Sequence, residues 1–333
     1  MPIKYISLNK SHKLSIIVPN YNGLNYIRCC MDSISMQSFK DFEIIIIDND
    51  SKDGSREFIS KTYPKIKLIP LKENCGFSKA VNEGIKAAKG EYIVLLNNDT
   101  MVDSHWLENL VKCIEEDKKI FSCCSKMIRY SKRDKIDDAG DGYNIFGWAY
   151  KRGDGASVDK YCRSESVFSS CAGATIYRKG ILDEIGYFDE NFFAYMEDVD
   201  ISFRAKIHGY RNVYCSDAIV YHVGSATSGS KYNSFKVKLA ARNNIYVIHK
   251  NMPFLMLIVN LPFLLLGFII KGLFFVVKGF GKEYMHGIYE GISGISKIKK
   301  IKFQRKYFIN YVKIEWKMIL NTFKYIFNKL FKY

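Results

Sequence analysis

The sequence predicts an α/β fold with a central sheet, followed by an α-helical C-terminal region of different chemistry. Three observations lead there. Through the first hundred residues, apolar strand-like runs alternate with helical stretches, the pattern of a parallel sheet covered by helices on both faces. The next segment, 104–250, is less regular and mixes helices with loops and short strands. From residue 253 the composition changes to one long uncharged run and then a tail rich in lysine and aromatic residues. The chain has 333 residues, 48% hydrophobic and 25% charged. That is enough for one large or two ordinary domains, and disorder is not expected to dominate.

The elements follow in order. LSIIVP (14–19) reads as the first strand and 23–37 as a helix. FEIIIID (42–48) is a strand, 54–62 a helix and KIKLIPL (65–71) a strand. FSKAVNEGIKAAKG (77–90) is a helix ending at Gly90. YIVLL (92–96) is apolar, short and tightly bounded, as a buried strand is. SHWLENLVKCIEED (104–117) looks helical, and 130–165, rich in Gly, Asp and Lys, reads as loops and short strands. DVDISFRAKIHG (198–209) is helical: Val199, Phe203 and Ile207 fall on one stripe, and Asp200 can pair with Arg204. The composition break divides the chain into residues 1–250 and 251–333.

Nine cysteines include two adjacent pairs, Cys29/Cys30 and Cys123/Cys124, and no C-x-x-C. That pattern suits neither a zinc site nor a disulfide framework, so reduced thiols in a cytosolic setting are expected. The opening MPIKYISLNKSHK lacks the apolar stretch of a secretory leader. The net charge of +16 is uneven: residues 251–333 hold 14 Lys/Arg against 3 Asp/Glu. The basic excess therefore belongs to the C-terminal quarter.

In a parallel sheet, ligands sit at the carboxyl ends of the strands. Here the first strand ends in Pro19-Asn20-Tyr21-Asn22, the second in Asp48-Asn49-Asp50 and the fourth in Asn97-Asn98-Asp99. Turn chemistry alone explains any one of these tips. Three on one edge point to a site. The dinucleotide fingerprint GxGxxG and the P-loop GxxxxGK[ST] are both absent.

Seven ordered motifs carry a resemblance: SIIVPNYNG (15–23), IIIDNDSKDGS (45–55), ENCGFSKAVNEGI (73–85), LLNNDT (95–100), CAGATIYRKGILDEIGYFDENFF (171–193), MEDVDISFR (196–204) and IVYHVGS (219–225). Together they resemble glycosyltransferase family 2, inverting enzymes of the GT-A fold, and most nearly its bacterial rhamnosyltransferase-like branch. The resemblance covers roughly residues 13–250. It implies a Rossmann-like nucleotide-binding domain with a mixed central sheet. It also implies transfer of a sugar from a UDP- or dTDP-linked donor to a lipid-linked or polysaccharide acceptor in bacterial cell-surface glycan assembly.

The resemblance assigns roles residue by residue. Asp48 accepts from the N3–H of uracil or thymine, with turn capping as the plain alternative. Pro19, Asn20 and Asn22 lie near the ribose or base, and Asp53 is a helix N-cap. Asn97-Asn98-Asp99 occupies the place of the D-x-D signature. Asp99 would bind Mg²⁺ or Mn²⁺ to offset charge on the leaving diphosphate. Asn97 departs from the signature's first Asp, and a carboxamide there can still accept from ribose or hold a metal-bound water. His222 is the second candidate ligand, or else a hydrogen-bonded core histidine. Glu197 and Asp198 form the acidic motif, with Asp198 the base that takes the acceptor hydroxyl proton. A helix start is expected to keep Asp198 ionised, a ready but weak base. Arg242, with Asn243, falls at a position near the acceptor or diphosphate, or is a surface arginine.

The C-terminal quarter begins with PFLMLIVNLPFLLLGFII (253–270), 18 residues without charge. It is long enough to approach a bilayer span of about 20 apolar residues. A single span would carry the basic tail away from the cytoplasmic side that basic segments prefer. A re-entrant or in-plane segment broken at Pro262 or Lys271 resolves the conflict. The basic tail then binds anionic headgroups on the cytoplasmic face of the membrane rather than nucleic acid. Two other readings stay open: a transferase charging a polyprenyl phosphate, and a non-catalytic sugar-nucleotide-binding subunit, which only Asn97 favours.

Overall fold

The computed structural model describes residues 12–224 and 232–330. The leader reading at residues 1–11 and Ser225, the last residue of IVYHVGS, lie outside the described residues.

The first hundred residues fold as expected. β1 (Leu14–Asn20), α1 (Leu24–Ser35), β2 (Phe42–Asp48), α2 (Ser55–Thr62), β3 (Lys67–Pro70), α3 (Gly76–Ala87) and β4 (Tyr92–Leu96) alternate. β4, β1, β2 and β3 lie side by side and parallel. All seven residues of β2 are buried, the signature of a strand covered on both faces. Successive side chains take opposite faces. Ile16, Val18, Ile44 and Ile46 join Ile27, Met31, Trp106 and Leu110 in one core layer. Ile17, Ile45 and Ile47 join Ala80, Val81 and Ile85 in the other. α3 ends at Ala87, short of Gly90. Ala88 is already extended (ψ 137°), and Gly90 then packs closely, where a side chain would meet the Leu14 backbone at 2.6 Å.

The second half of the sheet is mixed. It comprises β5 (Thr100–Val102), α4 (Trp106–Glu115), β6 (Ile120–Arg129), β7 (Lys132–Asp138), β8 (Asp141–Tyr143), β9 (Ala149–Lys151), β10 (Glu165–Val167), β11 (Ala174–Arg178), α5 (Lys179–Ile185), α6 (Glu197–Ile207) and β12 (Arg211–His222). The sheet order is β10-β12-β6-β11-β4-β1-β2-β3, with β5 on β12 and β7 on β6. β11 is antiparallel to both β4 and β6. β8 and β9 form a separate hairpin.

Four helices close the chain: α7 (Ser234–Asn251), α8 (Phe254–Val277), α9 (Gly281–Ser293) and α10 (Phe308–Leu330). The break expected at Pro262 or Lys271 is not there: α8 is one helix of 24 residues. Pro262 removes a single backbone hydrogen bond. A buried stripe of Met256, Asn260, Leu264 and Gly267 holds the helix to the body on either side of it. At Gly267 a Cβ would meet the Phe146 carbonyl at 2.3 Å, and the Trp148 indole donates to the Gly267 carbonyl at 3.1 Å. By length and composition α8 is able to cross a membrane.

The C-terminal helices share a core with the rest. Met252, Met256, Leu264, Ile298, Tyr311, Ile314 and Met318 pack with Tyr143, Phe168, Phe192, Val199 and Phe203. The composition break near residue 250 is thus a change of surface chemistry across a continuous core.

Candidate active site

The polar strand tips meet at one edge. Asn20 is buried at the end of β1, and its amide donates to Asp48 Oδ1 (3.1 Å), Ser51 Oγ (3.1 Å) and Ser55 Oγ (2.9 Å). Its carbonyl oxygen accepts from Asn98 Nδ2 at 2.8 Å. The first and fourth tips therefore touch. Gly23 makes this possible, since a Cβ there would lie 2.0 Å from Asn98 Nδ2. Asp48 is fully buried, and Arg56 Nε donates to its Oδ2 at 2.8 Å. Asn22 has a left-handed backbone and accepts from the Lys52 amide at 2.8 Å. Asp53 accepts from Ser55 N and also from Leu24 N, so it ties the starts of α1 and α2 together rather than capping one helix. Pro19 is half-buried beside these groups.

Asp99 and His222 come together. β12 pairs with β5 so that His222 faces Thr100, and His222 Nε2 lies 3.4 Å from Asp99 Oδ1. On its other side, His222 Nδ1 bonds Asp137 Oδ2 at 2.8 Å, and Lys151 Nζ lies 3.1 Å from that same oxygen. Burial opposes a charge on His222, but Asp137 and Asp99 outweigh it and raise the imidazole to about 9. Asn97 sits next to this pair, with its backbone amide on the Gly173 carbonyl.

The donor set fits a divalent ion. One carboxylate oxygen and one imidazole nitrogen face each other, and Asp137 fixes the far nitrogen as an outer-shell carboxylate does. Among the described residues no group of three or more metal-binding side chains occurs, so an ion held by this pair would need further ligands, such as phosphate and water. A mixed nitrogen and oxygen set suits Mn²⁺ better than Mg²⁺.

Glu197 and Asp198 open α6. The turn before them is unusual: Phe193, Tyr195 and Met196 all have positive φ (63°, 68° and 70°). For bulky residues such backbone costs on the order of 1–3 kcal/mol each unless the surroundings impose it. They do. Asn243 Nδ2 on α7 reaches the carbonyls of Phe192 (2.8 Å), Ala194 (2.9 Å) and Tyr195 (2.7 Å). Arg242 Nη2 reaches the carbonyls of Asn191 and Phe192. The guanidinium of Arg242, expected near the acceptor or diphosphate or else on the surface, is thus engaged with this turn, because α7 runs against it. Further along α7, Lys250 and Asn251 grip Asp200, which Arg204 also pairs.

Asp198 departs from the expectation of a freely ionised base. Burial raises its carboxyl, and bonds from the amides of Val199 and Ala172 only partly counter that. Glu197 is buried with Oε2 unpartnered, and burial together with Asp198 raises it as well. Desolvation outweighs the helix start, so Asp198 is a stronger base than its position alone implies.

Sequence reading missed one part of the site. Asp137, Asp138 and Asp141 lie in a stretch that composition marks only as loop and short strand. Asp137 holds His222, while Asp138 and Asp141 interact electrostatically with the Asp198 side. Neighbouring residues thus link His222 to Asp198. The acidic run in DDAGD (137–141) was the available signal, but nothing local says what it faces.

Polar strand tips at one sheet edge, a carboxylate–histidine pair beside them and an acidic helix start on a mixed central sheet are the arrangement of a glycosyltransferase of the GT-A class. The glycosyl transferase family 2 profile matches residues 15–186, more than half of the chain, and the protein belongs to that family. The uncharacterised glycosyltransferase YibD of Escherichia coli K12 is 35% identical over 120 residues, covering 35% of each chain. An uncharacterised glycosyltransferase of Rickettsia prowazekii, RP339, is 32% identical over 195 residues, 57% of this chain and 58% of that one. The hyaluronan synthase of Pasteurella multocida is 33% identical over 123 residues, 36% of this chain and 13% of the synthase. The chain thus spans less than two thirds of these relatives' own length.

Solved structures share the fold. GalNAc-T7 with UDP, GalNAc and Mn²⁺ superposes with a TM-score of 0.58 at 16% identity, over 72% of this chain and 48% of that one. The mannosyltransferase PcManGT of Pyrobaculum calidifontis, with GDP-Man and Mn²⁺, gives 0.54 at 14% identity, over 96% and 89%.

Proposed function

We propose that the protein transfers a sugar, with inversion, from a UDP- or dTDP-linked donor to a lipid-linked or polysaccharide acceptor of the bacterial cell surface. The observation that carries this is the 3.4 Å approach of His222 to Asp99 at the strand tips, joined through the 137–141 loop to the acidic start of α6. The tips of β1 and β2 bind the nucleoside. Asp99 and His222 would hold a divalent ion, which would supply charge neutralisation for the departing diphosphate. Asp198 takes the proton from an acceptor hydroxyl. That oxygen attacks the anomeric carbon on the face opposite the diphosphate, the bond to the diphosphate breaks, and the nucleoside diphosphate leaves.

The cytoplasmic face of the membrane is the proposed setting. α8 and α10 expose Phe254, Leu255, Ile258, Trp316, Phe323 and Phe327 in the quarter of the chain with a net charge of +11. Apolar surface edged by lysine suits an anionic bilayer.

Nucleotide release from a panel of UDP- and dTDP-sugars, with Mn²⁺ or Mg²⁺ and with chelator, tests the reading. Metal-dependent release from at least one pyrimidine donor, stimulated by a glycolipid or glycan acceptor, is expected. Binding of donor without any turnover across acceptors would favour a non-catalytic subunit instead.

A further inference from the structure

A cleft of about 570 Å³ lies between the β8–β9 hairpin, the 156–168 segment and α10. Its wall carries Arg152, Lys160, Arg163, Lys317 and Lys324 against three carboxylates. Two of those carboxylates offset charge and the third does not, so the five cations leave the wall net positive. Glu165 is ion-paired to Arg152. Asp159 accepts from Ser157. Asp141 is pushed toward its neutral form by burial and by Asp138 and Asp198.

The cations crowd one another. Lys317 donates to the Ser166 carbonyl at 3.3 Å, and burial, then Lys324 and Arg152, lower its ammonium. Lys206, on the neighbouring helix α6, donates to the next strand carbonyl, Val167, at 2.9 Å. Burial and the nearby Lys317 lower it to about 7. Like charges held together in a partly dry cleft repel, and a bound anion relieves that repulsion.

The cleft does not end in water. Lys324 and Asn328 also line a second depression, of about 430 Å³, whose other walls are Phe323, Ile326, Phe327 and Leu330. These four fall at i, i+3, i+4 and i+7 on α10, one apolar stripe, and all are exposed. A basic cleft and an apolar groove thus share a wall. A free phosphate uses only the first, and a neutral lipid only the second.

We propose that this continuous surface binds an anionic amphiphile, with its phosphate in the basic cleft and its hydrocarbon chain along the groove of α10. The surface involves neither the strand tips nor α6's acidic start, and it shares only Asp141 with the candidate active site.

The test is calorimetric titration of the full chain with dodecyl phosphate below its micellar concentration, with inorganic phosphate, and with dodecyl maltoside. Dodecyl phosphate should bind at least about tenfold more tightly than either other probe. Arg163→Glu/Lys324→Glu, both at exposed positions, should weaken it by at least about tenfold. Phe323→Ser/Phe327→Ser should reduce it to the affinity of inorganic phosphate. Nucleotide binding and the thermal midpoint should not move in either double variant. Unchanged binding of dodecyl phosphate by Arg163→Glu/Lys324→Glu overturns the proposal. So does equal affinity for dodecyl phosphate and inorganic phosphate, or for dodecyl phosphate and dodecyl maltoside.

Discussion

The side-chain amide of Asn243 donates to the Tyr195 carbonyl at 2.7 Å. That bond spans from α7 to the strained turn that sets Glu197 and Asp198 at the start of α6. Two amide hydrogens serve three carbonyls there, so the side chain is saturated by the turn. Its partner Arg242 adds two more bonds.

Asn243→Ala should therefore lower turnover, by up to about 10²-fold for a base displaced by about 1 Å, with donor affinity unchanged. Loosening the turn admits water to Asp198, whose carboxyl burial has raised. In the parent, the turnover should rise with pH through a value above 3.8, the ordinary Asp value, since the base must be ionised. In Asn243→Ala that limb should move down toward it. Asn243→Asp, which cannot donate to carbonyls, should be no better than Ala. A pH profile identical to the parent's would remove Asn243 from this role.

The proposed metal site rests on Asp99 and His222, 3.4 Å apart. Mn²⁺ titration in the presence of UDP, read by electron paramagnetic resonance, should lose its tight phase in Asp99→Ala and change little in Asn97→Ala. Asp137→Asn, which frees the far nitrogen of His222, should weaken Mn²⁺ by roughly 10–100-fold. Parent-like titration of Asp99→Ala would place the ion elsewhere.

Asp200 is fully buried between Arg204, Lys250 and Asn251. Burial works against its charge, but Lys250 and Arg204 outweigh it and hold the carboxyl below 3.8. Its stabilisation is thus present above that value and is lost as pH falls through the lower folded one. Asp200→Asn leaves two buried cations without their shared anion and should cost about 3–5 kcal/mol near neutral pH. Urea unfolding should show that gap narrowing below pH ~4. A constant gap across pH would mean the charge contributes nothing.

How much of this was legible in the sequence varied with how local the signal was. β1, β2 and β4 announce themselves because each is a short, mostly apolar run with Asn or Asp at or just past its end. β6 and β12 do not, since IFSCCSKMIR and RNVYCSDAIVYH hide buried strands behind Ser, Cys and Lys. Their polar groups are satisfied only in the fold, as where Ser122 Oγ donates to Asn212 at 2.9 Å. The motifs single out Asp99, His222 and Asp198, but that Asp99 meets His222 and that the β7–β8 segment joins them to Asp198 needed the tertiary structure. Arg242 was visible as a residue, but its contacts depend on where α7 runs. The continuity of α8 was misread because Pro262 argues locally for a break that packing overrides.

A chain ending at Lys250 would strip Met252, Met256, Tyr311, Ile314 and Met318 from the core around Phe192, Val199 and Phe203. Burial of each such side chain stabilises the fold by roughly 1.5–3 kcal/mol. The shortened chain should unfold at far lower urea than the full one, and comparable urea midpoints would contradict the shared core. Flotation of the full chain with anionic vesicles should weaken with salt and persist, because inserted apolar surface is not screened. Complete loss at high salt would reduce the interaction to surface charge.

The central claim is that Asp198 is the base of a glycosyl transfer. The most direct measurement pairs, for Asp198→Asn, the turnover of nucleotide release with donor affinity by titration. Turnover should fall by roughly 10²–10⁴-fold with donor affinity retained. A variant that turns over at the parent's rate would contradict it.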